Sequence, residues 1–156
     1  MTHYIENEFL TVGVKEYGCE LTSVKSKKDG YEFLWQGDEN IWYGQSPVLF
    51  PIVGRLIEDK YVLNGKEYEM PKHGFARKTN WNLLEKDEDS MSFILSESPE
   101  TLSKYPYKFD LIVTFTLDGN KLRVNHAVVN KNDDTMYFSL GAHPGFNCKV
   151  GDTLRF

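Results

Sequence analysis

Two short stretches hold side chains that could do chemistry. In FPIVGRLIEDKYVLNGKEYEMPKHGFAR (residues 50–77), Arg55 and His73 flank a hairpin signal, with Asn64-Gly65 between residues 60–63 and 66–68. Asn-Gly supplies the two positive-φ residues that a tight type I′ turn needs. The ribbon therefore folds back, and its outer ends, at Arg55 and His73, leave it together. A fixed cation beside an imidazole suits a polar ligand carrying hydroxyls or an anion. A surface hairpin with an unrelated Arg and His nearby fits the same spacing. In SLGAHPGFN (residues 139–147), His143 follows an apolar segment, and Gly141, Pro144 and Gly145 interrupt the strand around it. Glycines permit close approach of backbone or ligand, and strand-end loops commonly carry sites. Imidazole titrates near pH ~6.5, so it can serve as an acid or a base there. A structural turn accounts for His143 equally well.

The remaining candidates are weaker. His3 lies near a terminus, and His126 is in phase with Leu122, Val124 and Val128, so it reads as a sheet-face histidine. Cys19 and Cys148 sit in no CxxC or metal spacing, and Cys148 near His143 is poor support for a thiol nucleophile. Metal binding through His73 and His143 lacks a third ligand, so no metal is expected. There is no phosphate-cradling glycine loop, HExxH or GxSxG. Most carboxylates lie in charged tips such as residues 86–89, where solvation is the simplest explanation.

The elements that must position these residues read as strands. Leu10, Val12 and Val14 alternate with Thr11 and Gly13, and a second strand runs over residues 21–25. After Asp29-Gly30, the alternation of Tyr31, Phe33 and Trp35 predicts a second hairpin. Pro47 and Pro51 keep the next segment out of regular pairing. Residues 81–85 and 91–95 predict an antiparallel pair. Ser98-Pro99-Glu100-Thr101 predicts a turn or two of helix, ended by Pro106. Leu111, Val113, Phe115 and Leu117 alternate, Asp118-Gly119 turns, and Leu122 to Val128 alternate back. A further strand is expected through Met136, Phe138 and Leu140. The expected class is all-β, a large antiparallel β-sandwich forming one domain. Residues 151–156 read as the start of another strand, so the chain is expected to be incomplete at its C-terminus.

The totals agree. The 156 residues suffice for one domain that buries roughly 70% of its unfolded surface. A net charge of −5 without a basic block argues against nucleic acid. Ten Phe, nine Tyr and three Trp suit β-structure and sugar-stacking surfaces. No apolar run approaches the ~20 residues of a membrane helix, and the first residues lack a secretion signal. A soluble, cytoplasmic protein without membrane partners is expected.

Taken together, FPIVGRL, YVLNGKEYEMPKHGFAR, the NW of Asn80-Trp81 and LGAHPGFN resemble the aldose 1-epimerase (galactose mutarotase) family, within its LacX-like branch. The resemblance runs from Ile5 to Phe156 and rests on the order and spacing of the motifs. It implies a mutarotase-like supersandwich, of which residues 1–156 would be the N-terminal portion. It also implies cofactor-free interconversion of the α and β anomers of a free aldohexose such as galactose or glucose. His143 would be the general acid, and Arg55, His73, Phe146 and Asn147 would contact the sugar. Galactose mutarotases carry Asn where this chain has Gly54, which puts the sugar preference in doubt. Family members are considerably longer, and the resemblance places their base glutamate and a sugar-binding aspartate beyond Phe156. A non-catalytic carbohydrate-binding module and a hexose-6-phosphate 1-epimerase remain alternatives, the latter with Arg77 and Lys78 as phosphate candidates. With strand edges and apolar faces left open, dimerisation or aggregation is expected.

Overall fold

A computed structural model describes residues 1–155. In chain order its elements are β1 (Thr2–Glu6), β2 (Leu10–Lys15), β3 (Glu20–Ser26), β4 (Val48–Leu49), β5 (Lys60–Leu63) and β6 (Lys66–Glu69). They continue with β7 (Asn82–Lys86), β8 (Ser90–Ser96), α1 (Pro99–Lys104), β9 (Phe109–Asp118), β10 (Lys121–Asn130) and β11 (Gly141–Ala142). Every strand pair is antiparallel. One sheet runs β1-β2-β3, another β10-β9-β8-β7, and β4 with β11 and β5 with β6 form two-stranded ribbons.

The sequence alternation becomes an alternation of burial. In β9, Phe109, Leu111, Val113, Phe115 and Leu117 are buried and the residues between them are partly exposed. These side chains join Val12 and Val14 of β2 and Met91, Phe93 and Leu95 of β8 in one continuous core. Each gains about 1.5–3 kcal/mol by leaving water, so the seam joining the two larger sheets holds much of the stability. The β5–β6 hairpin forms as its turn chemistry requires, with Asn64 at φ 51° and Gly65 at φ 78°. The helix starts at the expected serine: Ser98 Oγ accepts from Thr101 N, and Thr101 Oγ1 accepts from Ser98 N in return.

Three expectations need correction. Residues 31–35 form only isolated bridges, and their buried member is Leu34, with Tyr31 and Phe33 exposed. The reason lies in Glu32. Its carboxylate accepts from Val24 N (2.8 Å), Leu34 N (3.0 Å) and Ser23 Oγ (2.5 Å), a side chain standing where a backbone ladder would continue. The strand expected through Met136, Phe138 and Leu140 does not form, and regular pairing begins only after it, at Gly141–Ala142. Ser139 N donates to Pro51 O (2.8 Å) and His143 N to Pro47 O (3.1 Å), both in the register of Gly141 with Leu49. Neither proline has an N–H to return the bond, so the two-way ladder is confined between them, and beyond Pro47 only Gly145 N donates onward, to Gln45 O (2.8 Å). The strand expected over 151–156 does not form in residues 152–155, and Phe156 lies outside the described residues.

Glu32 is therefore a structural carboxylate. Glu32→Ala is expected to lower the unfolding free energy by about 2–3 kcal/mol, because two amide donors lose a charged acceptor. Glu32→Gln, which keeps one acceptor oxygen, is expected to lose less. Urea denaturation followed by circular dichroism checks the order; equal stability of wild type and the alanine variant would remove Glu32 from this role.

Candidate functional site

Phe50 positions the site from within the core. Its ring is fully buried and meets those of Phe75, Tyr105, Phe109 and Phe138 at centroid distances of 6.2, 5.9, 5.2 and 5.8 Å. Its carbonyl accepts from Phe75 N (3.0 Å) and Ala76 N (3.2 Å). Gly74, at φ 69°, packs so closely that a Cβ there would lie 2.1 Å from the same oxygen. Only glycine fits, which gives the His-Gly pair of HGFAR its physical reason. Trp81, buried just before β7, adds an indole N–H donated to Ala76 O (3.0 Å).

The turn leaves His73 at φ 68°, tied to Gly54 in both directions. His73 N donates to Gly54 O (2.7 Å), and Gly54 N donates to His73 Nδ1 (3.0 Å). Gly54 itself lies at φ 91°, a conformation that favours glycine and gives the sequence departure at this position a backbone cause. The hairpin thus does bring the backbone on either side of it together. Because Nδ1 accepts a hydrogen bond, the neutral ring carries its proton on Nε2 and can donate from there. Burial holds the His73 pKa below the usual imidazole range, with further lowering by Arg77, Lys72 and His143.

His143 arrives from β11, its ring centroid 6.5 Å from that of His73 and 5.3 Å from that of Trp42, edge to face. Gly145 is needed beside it, since a Cβ there would meet the Trp42 ring at 2.8 Å. Among the described residues, Trp42, Pro47, Leu49, Lys72, His73, Arg77 and His143 line a cleft of about 210 Å³, and none of them carries a carboxylate. Arg77 Nη2 donates to Lys72 O (2.9 Å), and its buried Nε has no partner among the described residues.

The other sequence candidates lie elsewhere. The Arg55 guanidinium turns to Asp59 in a two-pronged ion pair (2.8 and 2.7 Å), which raises the Arg55 pKa. Asn147 spends its amide N–H groups on Glu32 O (2.9 Å) and Leu34 O (2.7 Å), and the partly exposed Phe146 borders a separate, larger cleft. Lys78 is exposed and does not line the histidine cleft. Lys72 and Trp42 do line it, and neither stood out in the sequence as a site residue. Lys72 was visible only as the neighbour of His73, and Trp42 only as part of an aromatic, irregular stretch. Among the described residues no group of three His, Cys, Asp or Glu could hold a metal, and no helix is long and apolar enough to cross a membrane.

The clamp on His73 has a measurable consequence. In ¹⁵N NMR, neutral His73 is expected in the Nε2–H form, with a titration midpoint below that of ordinary imidazole. Protonation would add an N–H at Nδ1 facing the Gly54 N–H, so acidification works against this geometry. The folded-state pKa is depressed, so the stabilisation is present above the unfolded histidine pKa and is lost as pH falls through the folded value. Arg77→Met is expected to raise the midpoint by removing a nearby cation. An Nδ1–H tautomer, or a midpoint unmoved by the substitution, would contradict the arrangement.

Comparison with known proteins bears on the family and the fold. The sequence pattern of the family described as aldose 1-epimerase matches residues 1–155. The plasmid-encoded protein LacX of Lactococcus lactis subsp. lactis is 42% identical over 162 residues, covering 100% of this chain and 54% of its own. The crystal structure of a galactose mutarotase related enzyme from Lactobacillus acidophilus superposes with a TM-score of 0.93 at 42% identity, covering 98% of this chain and 52% of that one. A galactose mutarotase-like protein from Lactobacillus casei gives a TM-score of 0.93 at 37% identity, covering 96% and 51%. The antiparallel fold is thus that of the galactose mutarotase-like structures, and the chain spans about half the length of these relatives. On the match of its motifs, its whole described length and its fold, the chain belongs to the aldose 1-epimerase family.

Proposed function

We propose that the protein containing this chain interconverts the α and β anomers of a free aldohexose such as galactose or glucose. The observation that carries the reading is the pairing of His73 and His143 across one small cleft, with His73 held as a neutral Nε2–H donor. In the reaction a carboxylate base takes the proton of the anomeric O1 hydroxyl, and protonated His143 gives one to the ring oxygen O5. The C1–O5 bond breaks to give the open-chain aldehyde. Rotation about C1–C2 turns the other carbonyl face to the C5 hydroxyl, and the ring recloses with the proton transfers reversed. His73 would donate to a sugar hydroxyl and hold the chain in place while the ring is open. Among the described residues the lining holds no carboxylate, and the family resemblance places the base in polypeptide outside these 156 residues, which would be one portion of a single domain. Arg55 can reach a sugar only by exchanging its Asp59 partner for hydroxyls, a modest cost for an exposed ion pair.

In the full-length protein, His143→Asn is expected to slow anomerisation by at least about 10²-fold with sugar binding retained. Polarimetry of freshly dissolved α-galactose and α-glucose reads the rate, and an unchanged rate would exclude His143 as the acid.

One observation favours a second reading, a hexose-6-phosphate substrate. Lys72 and Arg77 border the histidine pair, and Arg77 Nε is buried without a partner among the described residues. On that reading, Arg77→Met is expected to weaken turnover of α-glucose 6-phosphate about tenfold or more and spare free glucose. Equal effects on the two sugars would leave the free hexose as the substrate.

A further inference from the structure

We propose that Glu20, at the start of β3, is a positioning residue for His143. It acts through residues 45–47, whose carbonyls hold the loop that carries the imidazole. The inference rests on the reading of His143 as the acid, but its contacts lie within the fold and involve no substrate.

Glu20 is 7% exposed and is the one charged side chain buried among the described residues. A charge taken out of water is costly unless donors surround it. Glu20 has three. Lys15 Nζ, opposite it across the β2–β3 ladder, pairs with Oε2 at 2.5 Å. Gln45 N (2.7 Å) and Ser46 N (3.0 Å) both donate to Oε1, from 25 and 26 positions along the chain. Hydrogen bonds to a charged acceptor are about twice as strong as neutral ones. An irregular segment just before β4 is thereby fastened to β3. The Gln45 side chain adds Nε2 bonds to Thr22 O (2.8 Å) and Trp35 O (3.2 Å).

The same segment receives the histidine loop. Gln45 O accepts from Gly145 N (2.8 Å), and Pro47 O accepts from His143 N (3.1 Å). The His143 side chain is exposed, so these backbone anchors and the two-residue β4–β11 ladder set where its ring stands. Releasing Gln45 and Ser46 from Glu20 frees the acceptors of both bonds. Misplacing an acid by about 1 Å can cost on the order of 10²-fold in rate. His73 is held by another route, through the Phe50 carbonyl and the Gly54 clamp. A positioning role therefore disturbs His143 selectively, whereas a general loosening of the fold disturbs both imidazoles.

The test compares Glu20→Ala, Glu20→Gln and Lys15→Met in the full-length protein. Glutamine keeps an oxygen for the two amides, and alanine removes it. Lys15→Met leaves those bonds in place but strands a buried charge, so it lowers stability without releasing the segment. Glu20→Ala should shift the ¹⁵N and ¹³C ring signals of His143 well beyond those of His73. It should also lower kcat for anomerisation at least about tenfold with little change in KM. Glu20→Gln should restore most of both. Lys15→Met should lower the urea midpoint and leave the His143 signals in place. Glu20→Asp, which draws the carboxylate back by one methylene, serves the same comparison if the alanine variant does not fold. Unmoved His143 signals, equal shifts of His73 and His143, or Lys15→Met moving His143 as far as Glu20→Ala would each overturn the proposal. So would an unchanged kcat where His143→Asn is inactive. The NMR comparison reads the coupling without turnover, so it decides the positioning role even if His143→Asn shows that the reaction does not use this acid.

Discussion

The structure depends on the contact between the Phe50 carbonyl and the Gly74–Ala76 turn. One oxygen takes two amide donors while the Phe50 ring, one bond system away, is locked among four other aromatic rings. Core packing and loop geometry are thereby set by the same residue. A close-packed interior tolerates little displacement, so the turn inherits the rigidity of the core. His73 stands immediately before this turn, and residues 47–51 on the Phe50 side also carry the short ladder that delivers His143. Both histidines are therefore referenced to one buried segment.

That arrangement gathers positive charge around one imidazole. Lys72, Arg77 and His143 all disfavour protonation of His73, and burial does so most. The Gly54 amide adds geometry to electrostatics by occupying Nδ1. The two imidazoles are thus chemically unlike despite their proximity. One is clamped as a neutral donor, and the other lies exposed in a T-shaped contact with Trp42.

The prolines shape the site as much as the histidines do. Pro47 and Pro51 lie in register with His143 and Ser139, accepting bonds that they cannot return. In place of the strand expected through Met136 and Leu140 there is only the two-residue Gly141–Ala142, and His143 follows it. Glu32, beside Phe33 and Leu34 of the large cleft, acts similarly, interrupting a ladder with a carboxylate and leaving carbonyls for the Asn147 amide. In both places a regular strand is given up near a cleft.

Local chemistry was legible in the sequence. The Asn64-Gly65 turn, the Ser98 cap and the paired alternations of β9 and β10 each depend on residues a few positions apart, so periodicity and turn preference sufficed to read them. The resemblance of the motifs was legible for the same reason, since order and spacing survive without coordinates. What the side chains do depended on partners far away in the chain. Arg55 turning to Asp59, Asn147 serving Glu32 and Leu34, and Lys72 and Trp42 entering the histidine cleft follow from packing across the fold. Residues 31–35 alternated like a strand, yet Glu32 placed Leu34 inside, because a carboxylate that accepts three hydrogen bonds outweighs a period-2 pattern of five residues. Strand propensity belongs to neighbours in sequence, whereas the pairing that realises or denies it belongs to neighbours in space.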